Sequence, residues 1–404
     1  MGTRSRAPRP SPWGRSTVGW RLPRQSFPSS CLRGGWRSIA ATVRAPTPAP
    51  RRSRPVNERT RPVRAAVLAV DGGDSKTDVA LLDRRGSVLG ATRVKDSGHA
   101  GLGRTSALDT IAAAIRSACQ DFGIDPDLGP IAEIGVYCLA GADLPLDDRR
   151  IGREVKRRGW TIRHLVRNDT FAVLRAGTDR RWGVGIVCGA GMNCAGVGED
   201  GRVVRYAAFG DISGDLAAGG VWIGTQAVAH AMRGQDGRGP RTTLEQLVPG
   251  YFKLARPSAL VEAFYVGRLD QRRVVELPPL VFAAAKEGDA VAQEIIDRVA
   301  DEVVAFANAT IRRLRLTARD VEVILGGGVF RTDNGGFLER IEAGIRAVAP
   351  RAALRRLTAP PVVGAALIGL DELGVARSRA AGLRSVLTHS RLANPNGARA
   401  AGND

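Results

Sequence analysis

Residues 66–83 read AVLAVDGGDSKTDVALLD: an apolar run, a turn on Gly72 and Gly73, then a second apolar run. Short runs rich in Val, Leu and Ala, bounded by glycine and aspartate, are the pattern of paired β-strands. Asp71 closes the first run, and Asp74, Ser75, Lys76 and Thr77 follow the glycines. Such a turn lets the backbone fold sharply and present N–H groups and hydroxyls to an anion with no bulky side chain in the way. It is neither G-x-x-x-x-G-K-[ST] nor a dinucleotide fingerprint, because a strand follows where those motifs open a helix. Taken alone, the stretch fits a plain hairpin turn as well as a phosphate loop.

The flanking sequence separates the two readings. SVLGATRV adds a third strand after a tight turn at 84–86, giving an antiparallel meander. RTSALDTIAAAIRSACQDFG then has a helical pattern, IAEIGVYCLAG a buried strand, DDRRIGREVKRRGW a helix and TIRHLVRND a strand. After that the theme restarts. WGVGIVCGAGMNCAGVGEDGRVVRYAAFGD carries a strand, a glycine turn at Gly189, Ala190 and Gly191, a strand with Asn193, and a third strand after a turn at 199–201. Helical stretches follow at about 219–232 and 275–315, then the strand VEVILGGG, a helix near 335–348, the strand RAALRRL and a helix over 361–373. The expected fold class is α/β: two duplicated halves with a cleft between them. Two glycine loops, one per half, would grip a polyphosphate from both sides. A third cluster at Gly326, Gly327 and Gly328 ends a strand and suits a base or ribose lying against bare backbone.

Composition bounds the partners. The chain carries a formal charge of +20, but residues 1–64 hold fifteen Arg against the single acid Glu58, so +14 of it lies there. The remaining chain is close to an ordinary globular protein, and the segment lacks any strand or helix period. A transit peptide, a nucleic-acid-binding arm and an upstream stretch read from a misplaced start each fit it, and the third is preferred. Expected boundaries are a disordered basic extension over 1–63, halves over 64–168 and 169–376, and a flexible tail over 377–404. No helix-turn-helix or aromatic-bearing sheet pattern points to nucleic acid, and no apolar run approaches the roughly 18 residues of a membrane span. A cytoplasmic location is expected. Five cysteines without a C-x-x-C pair argue against a zinc site or a disulfide scaffold.

The order DGG-x-S-K-T, G-A-G-x-N, L-G-G-G-V-F resembles the acetate and sugar kinase, heat-shock chaperone and actin superfamily. Within it the sequence is similar to the N-acetylglucosamine kinase branch, grouped with the BadF and BcrA activator-type ATPases. The resemblance spans roughly residues 65–375. It is most specific at RNDTFAVLRAG and FGDISGDLAAGGVWIGTQAV, the segments such kinases place around the sugar and its acceptor hydroxyl. It implies duplicated halves of ribonuclease H-like, actin-like type and ATP-dependent transfer to a sugar hydroxyl in the cleft between them.

Residue chemistry can be set beside that implication. Transfer to an alcohol needs a carboxylate near the hydroxyl and a cation bridging phosphate oxygens. Asp169 ends an apolar strand and precedes a helix, so it is the candidate base, with helix N-capping as the alternative role. Asp71 is the candidate Mg2+ residue, acting through ordered water, with an Asx turn as its competitor. Gly72, Gly73, Ser75, Lys76, Thr77, Gly189, Ala190, Gly191, Asn193, Gly326, Gly327 and Gly328 are the candidate nucleotide contacts. By resemblance Asp215 holds sugar hydroxyls and Gly214 lets the ring approach, while Asp211 fits solvent exposure equally well. Asn168 joins them from the RNDTFAVLRAG match. Two departures concern the sugar. Where the family offers an asparagine after the third strand, this chain has KDSGHAGLG, so Asp96, Ser97 or His99 would substitute; and the usual Gly-Asp-Glu is Gly214-Asp215-Leu216. N-acetylglucosamine leads as substrate, and a homodimer is left open. Two other readings stand: an activator ATPase holding an iron–sulfur cluster, for which Cys138 and Cys194 would have to serve, and a non-catalytic sugar or ATP sensor.

Overall fold

The structure, a computed structural model, describes residues 65–73, 75–95, 104–120, 123–376 and 382–394. The basic extension over 1–63, the candidate sugar contacts Asp96, Ser97 and His99, and residues 395–404 lie outside these segments. Residues 59–404 group as one compact unit.

The opening stretch forms β1 (Ala65–Gly72) and β2 (Lys76–Leu82), antiparallel, and β3 (Val88–Lys95) extends the meander. α1 (Arg104–Gln120) leads to β4 (Ala132–Leu139), and α2 (Pro145–Arg158) to β5 (Thr161–Asn168). β4 pairs parallel to β1 and β5 parallel to β4, giving the order β3-β2-β1-β4-β5. β1 reads as a near-continuous apolar run because both faces of this sheet are covered. Leu68 and Val70 pack with Ile111 and Ile115 of α1, while Val67 and Ala69 pack with Val363 and Ala366 further along the chain.

The second half repeats the design. α3 (Asp169–Gly177) is followed by β6 (Gly183–Cys188), β7 (Met192–Val197) and the short β8 (Val203–Arg205). A helical stretch then comprises α4 (Gly220–Asp236), α5 (Leu244–Tyr251), α6 (Pro257–Tyr265), α7 (Pro278–Lys286) and α8 (Ala290–Arg313). β9 (Glu322–Gly326), α9 (Gly335–Arg346), β10 (Ala353–Arg356) and α10 (Val362–Glu372) complete the half. The order is β10-β9-β6-β7-β8, with β6–β7–β8 antiparallel and β6–β9–β10 parallel. Strand for strand, the two sheets have the same topology, so the expected duplicated ribonuclease H-like fold is the observed one.

The connecting helices trade places. α3 follows the first sheet yet packs on the second, with Val173 and Leu174 against Ile324; α10 follows the second sheet and packs on Val67 and Val136 of the first. The two helices cross at Gly364, where a Cβ would lie 1.8 Å from the Ala172 carbonyl oxygen. Only glycine permits that approach. α5 and α6 have no counterpart in the sequence reading, which left 233–274 without elements. Residues 382–394, read above as part of a tail, form α11 (Leu383–Val386) and α12 (His389–Ala393), with Leu383, Leu387 and Leu392 buried in the first half's core. Among the described residues no helix is long and apolar enough to cross a membrane.

Candidate active site

The carboxyl ends of β1, β4, β5, β6 and β9 open on a shared cleft of about 1060 Å3, where open α/β sheets bind ligands. Of the candidates from sequence, Asp71, Gly73, Ser75, Lys76, Asn168, Asp169, Gly189, Ala190, Gly191, Asn193, Asp215, Gly327 and Gly328 line it. Gly72, Thr77 and Gly326 stand behind the loops, within strands, and Gly214 is an exposed turn residue beside Asp215. Gly327 has φ +108°, with the Cys188 carbonyl oxygen 2.3 Å from where a Cβ would sit, so the third glycine cluster turns there only as glycine.

Asp71 is the last polar residue of β1 and is 7% exposed. Burial, with Asp78 and Asp169 nearby, raises its pKa well above the usual aspartate value, against the opposing pull of Lys76 and Arg93. A buried carboxylate facing other carboxylates has unbalanced negative charge that a divalent cation offsets. Among the described residues no cluster of three or more metal-binding side chains forms. Asp71 therefore fits a Mg2+ ion that keeps waters and phosphate oxygens as its other ligands, and does not fit a cage made by protein alone.

Asp169 is the first residue of α3. The N-cap is Asn168, whose Oδ1 accepts from the Thr170 N–H at 3.0 Å. Asp169 is thus relieved of the capping task that was its competing role, and half-buried it faces the cleft between Asp71 and Asn168.

Four residues that sequence reading missed complete the site. Asp78, fully buried on β2, takes a bidentate pair from Arg93 directly across on β3 (2.6 and 2.7 Å) and a 3.2 Å bond from Lys76. It holds both cations at the cleft wall. His389 of α12 also lines the cleft, 3.1 Å from Arg93 through Nδ1. At the other end Asp143, on the loop after β4, accepts at Oδ1 from Asn168 Nδ2 (2.8 Å) and Asn193 Nδ2 (2.9 Å). Burial and the nearby Asp147 push its pKa up to about 6. The two asparagines are consequently engaged within the protein: Asn193 Oδ1 also accepts from the Cys194 N–H at 2.7 Å. Asp215, 4% exposed, accepts from Ser213 Oγ at 2.6 Å just past the left-handed turn at Gly214. Asp211 is exposed outside the cleft.

The cleft therefore gathers both cations and carboxylates. Lys76, Arg93 and Arg331 act on His389, Asp215 and the cation Arg205 act on Asp143, and Asp169 acts on Asp71 together with Lys76 and Arg93.

Two halves of one topology, closing on glycine turns and strand-end carboxylates, define an actin-like nucleotide-binding fold. The chain belongs to the BadF/BadG/BcrA/BcrD ATPase family, whose family profile matches residues 68–369. It is 26% identical over 313 residues, 75% of this chain and 97% of the relative, to the N-acetyl-D-glucosamine kinase of Dictyostelium discoideum. It is 26% identical over 275 residues, 66% of this chain and 86% of the relative, to the N-acetylmuramic acid/N-acetylglucosamine kinase of Clostridium acetobutylicum. Among solved structures, a Chromobacterium violaceum protein provisionally described as an N-acetylglucosamine kinase superposes with a TM-score of 0.59 at 20% identity, over 76% of this chain and 100% of that one.

Proposed function

We propose that the chain is an ATP- and Mg2+-dependent kinase that transfers the γ-phosphoryl group to a hydroxyl of an amino sugar, with N-acetylglucosamine the leading acceptor. The observation that carries this is one cleft lined by Asp169, by Asp71 and by the cations Lys76 and Arg93, with Asn168 rather than Asp169 as the N-cap of α3. The family and the two named kinases support it.

In this reading Gly73, Ser75 and Lys76 from one half and Gly189 to Gly191 from the other hold the phosphates, and Gly327 and Gly328 receive the nucleoside. Asp215 and its turn orient the sugar. Asp169 accepts the proton of the attacking hydroxyl as its oxygen bonds to the γ-phosphorus and the bond to the β-phosphate oxygen breaks, releasing ADP. Mg2+ held near Asp71 supplies the positive charge that the phosphate oxygens need in transfer. Asp143, braced from both halves, keeps Asn168 and hence the start of α3 in place.

An activator ATPase with a shared iron–sulfur cluster is disfavoured by the thiols available. Cys138 and Cys194 are fully buried, and burial drives the Cys138 pKa well above the usual thiol value and that of Cys194 to about 12. Neither is a thiolate at a surface.

The test is ADP release from ATP with N-acetylglucosamine, N-acetylmannosamine, glucosamine, glucose or no sugar, for wild type and Asp169→Asn. Turnover with one sugar, falling at least ~100-fold in the variant, is expected for loss of the base. Sugar-independent turnover would favour the activator reading, and ATP binding without turnover a sensor.

A further inference from the structure

The family profile ends at residue 369, and α11 and α12 lie beyond it. These short helices are firmly seated. Leu383, Leu387 and Leu392 enter the first half's core, and Arg384 donates to the Ala176 and Thr178 carbonyls (2.7 and 2.8 Å), capping the carboxyl end of α3. Their seat brings one side chain to the cleft: His389.

The chemistry of that imidazole is constrained by its neighbours. Arg93 is held by Asp78 through Nε and Nη2, and an arginine has donors only. Nδ1 of His389, 3.1 Å from Arg93 Nη2, must therefore accept, which leaves the ring proton on Nε2. Burial, then Lys76, Arg93 and Arg331, lower the His389 pKa, with Asp78 opposing, so the ring is neutral and Nε2–H is its one donor. Lys76, Arg331 and Ser75 line the same cleft, from the first glycine loop and the turn after β9, and the first two act on His389.

We propose that the C-terminal helix pair completes the nucleotide site, with His389 Nε2–H donating to a phosphate oxygen of bound ATP or ADP. The Asp78–Arg93–His389 chain is then a relay of hydrogen bonds that aims one neutral donor at an anion, beside the charged Lys76. The inference rests on the nucleotide reading of the cleft given above and adds to it a residue from outside the family's matched span.

The experiment is calorimetric titration of ADP into wild type, His389→Ala, His389→Gln and His389→Asn, with melting temperature recorded for each and the sugar KM measured in parallel. A glutamine end amide can put an N–H where Nε2 stands, whereas asparagine reaches only the Nδ1 position. The expected result is about tenfold weaker ADP binding for alanine and asparagine, near wild-type binding for glutamine, and an unchanged sugar KM. Alanine binding ADP within twofold of wild type overturns the proposal, and so does rescue by asparagine but not glutamine, which would make the Arg93 bond a purely structural brace. If alanine lowers the melting temperature too far for titration, the glutamine–asparagine comparison decides alone. Failure of wild type itself to bind ADP would instead remove the nucleotide reading of the cleft.

Discussion

Asp143 shows what a single carboxylate does when two halves of a molecule converge on it. Its Oδ1 is the acceptor for Asn168, at the end of β5, and for Asn193, on β7. Removing it leaves two amide donors without their partner, so Asp143→Ala should cost about 2 to 3 kcal/mol, whereas Asp143→Asn, which retains a carbonyl acceptor, should stay within about 1 kcal/mol of wild type. The same residue sets a pH dependence. Its folded pKa, about 6, stands above the ordinary 3.8, so between those values the folded chain holds a proton that the unfolded chain has released. The stabilising contribution is complete below about pH 4 and lost as pH rises through about 6. Urea midpoints at pH 4, 5, 6 and 7 should fall across that window in wild type and less in Asp143→Asn; equal slopes in the two proteins would contradict the assignment.

The crossing of α3 and α10 is the element on which the joining of the halves depends, since each helix follows one sheet and packs on the other. Gly364→Val would drive its side chain into the Ala172 carbonyl, and neither backbone can withdraw without unseating a helix from a core. A loss of about 3 kcal/mol or more is expected, seen as a melting temperature lower by roughly 6 °C or more. Gly250→Ala in α5, where no atom lies within 4 Å of the added Cβ, serves as the control and should melt as wild type does or slightly above it. A Gly364→Val protein melting with wild type would show that the crossing is looser than described. Elements like these also mark the limit of legibility. Both meanders could be read because their strands are local and their turns announce themselves in glycine. α5 and α6 could not, because Pro249, Gly250 and Pro257 interrupt a pattern that packing against α4 and α7 completes. In the site, Asp71, Asp169 and Asp215 stood out at strand ends and glycine turns. Asp78 and Arg93 needed the β2–β3 register that sets them opposite each other, and His389 needed the docking of a segment almost 300 residues away in sequence from Arg93.

At the scale of the whole molecule, the question is which part of the chain the cleft requires. β1 is the central strand of its sheet and begins at Ala65, and among the described residues the first to line the cleft is Asp71. The family match starts at 68. Residues 1–64 carry +14 of the chain's +20, a charge that attracts polyanions without sequence or site. Two properties should therefore separate on truncation. A chain lacking residues 1–62 should keep ADP affinity and sugar-dependent turnover within about twofold of the full chain, since every described cleft residue is retained. Any salt-sensitive retention of the full chain on heparin should fall sharply, because only +7 of the chain's +20 remains. Loss of turnover or of cooperative melting in the shortened chain would mean that the extension contributes to the fold or the cleft. Strong heparin binding that survives truncation would instead relocate the basic surface to the folded halves, where Lys76, Arg93 and Arg331 already gather around His389.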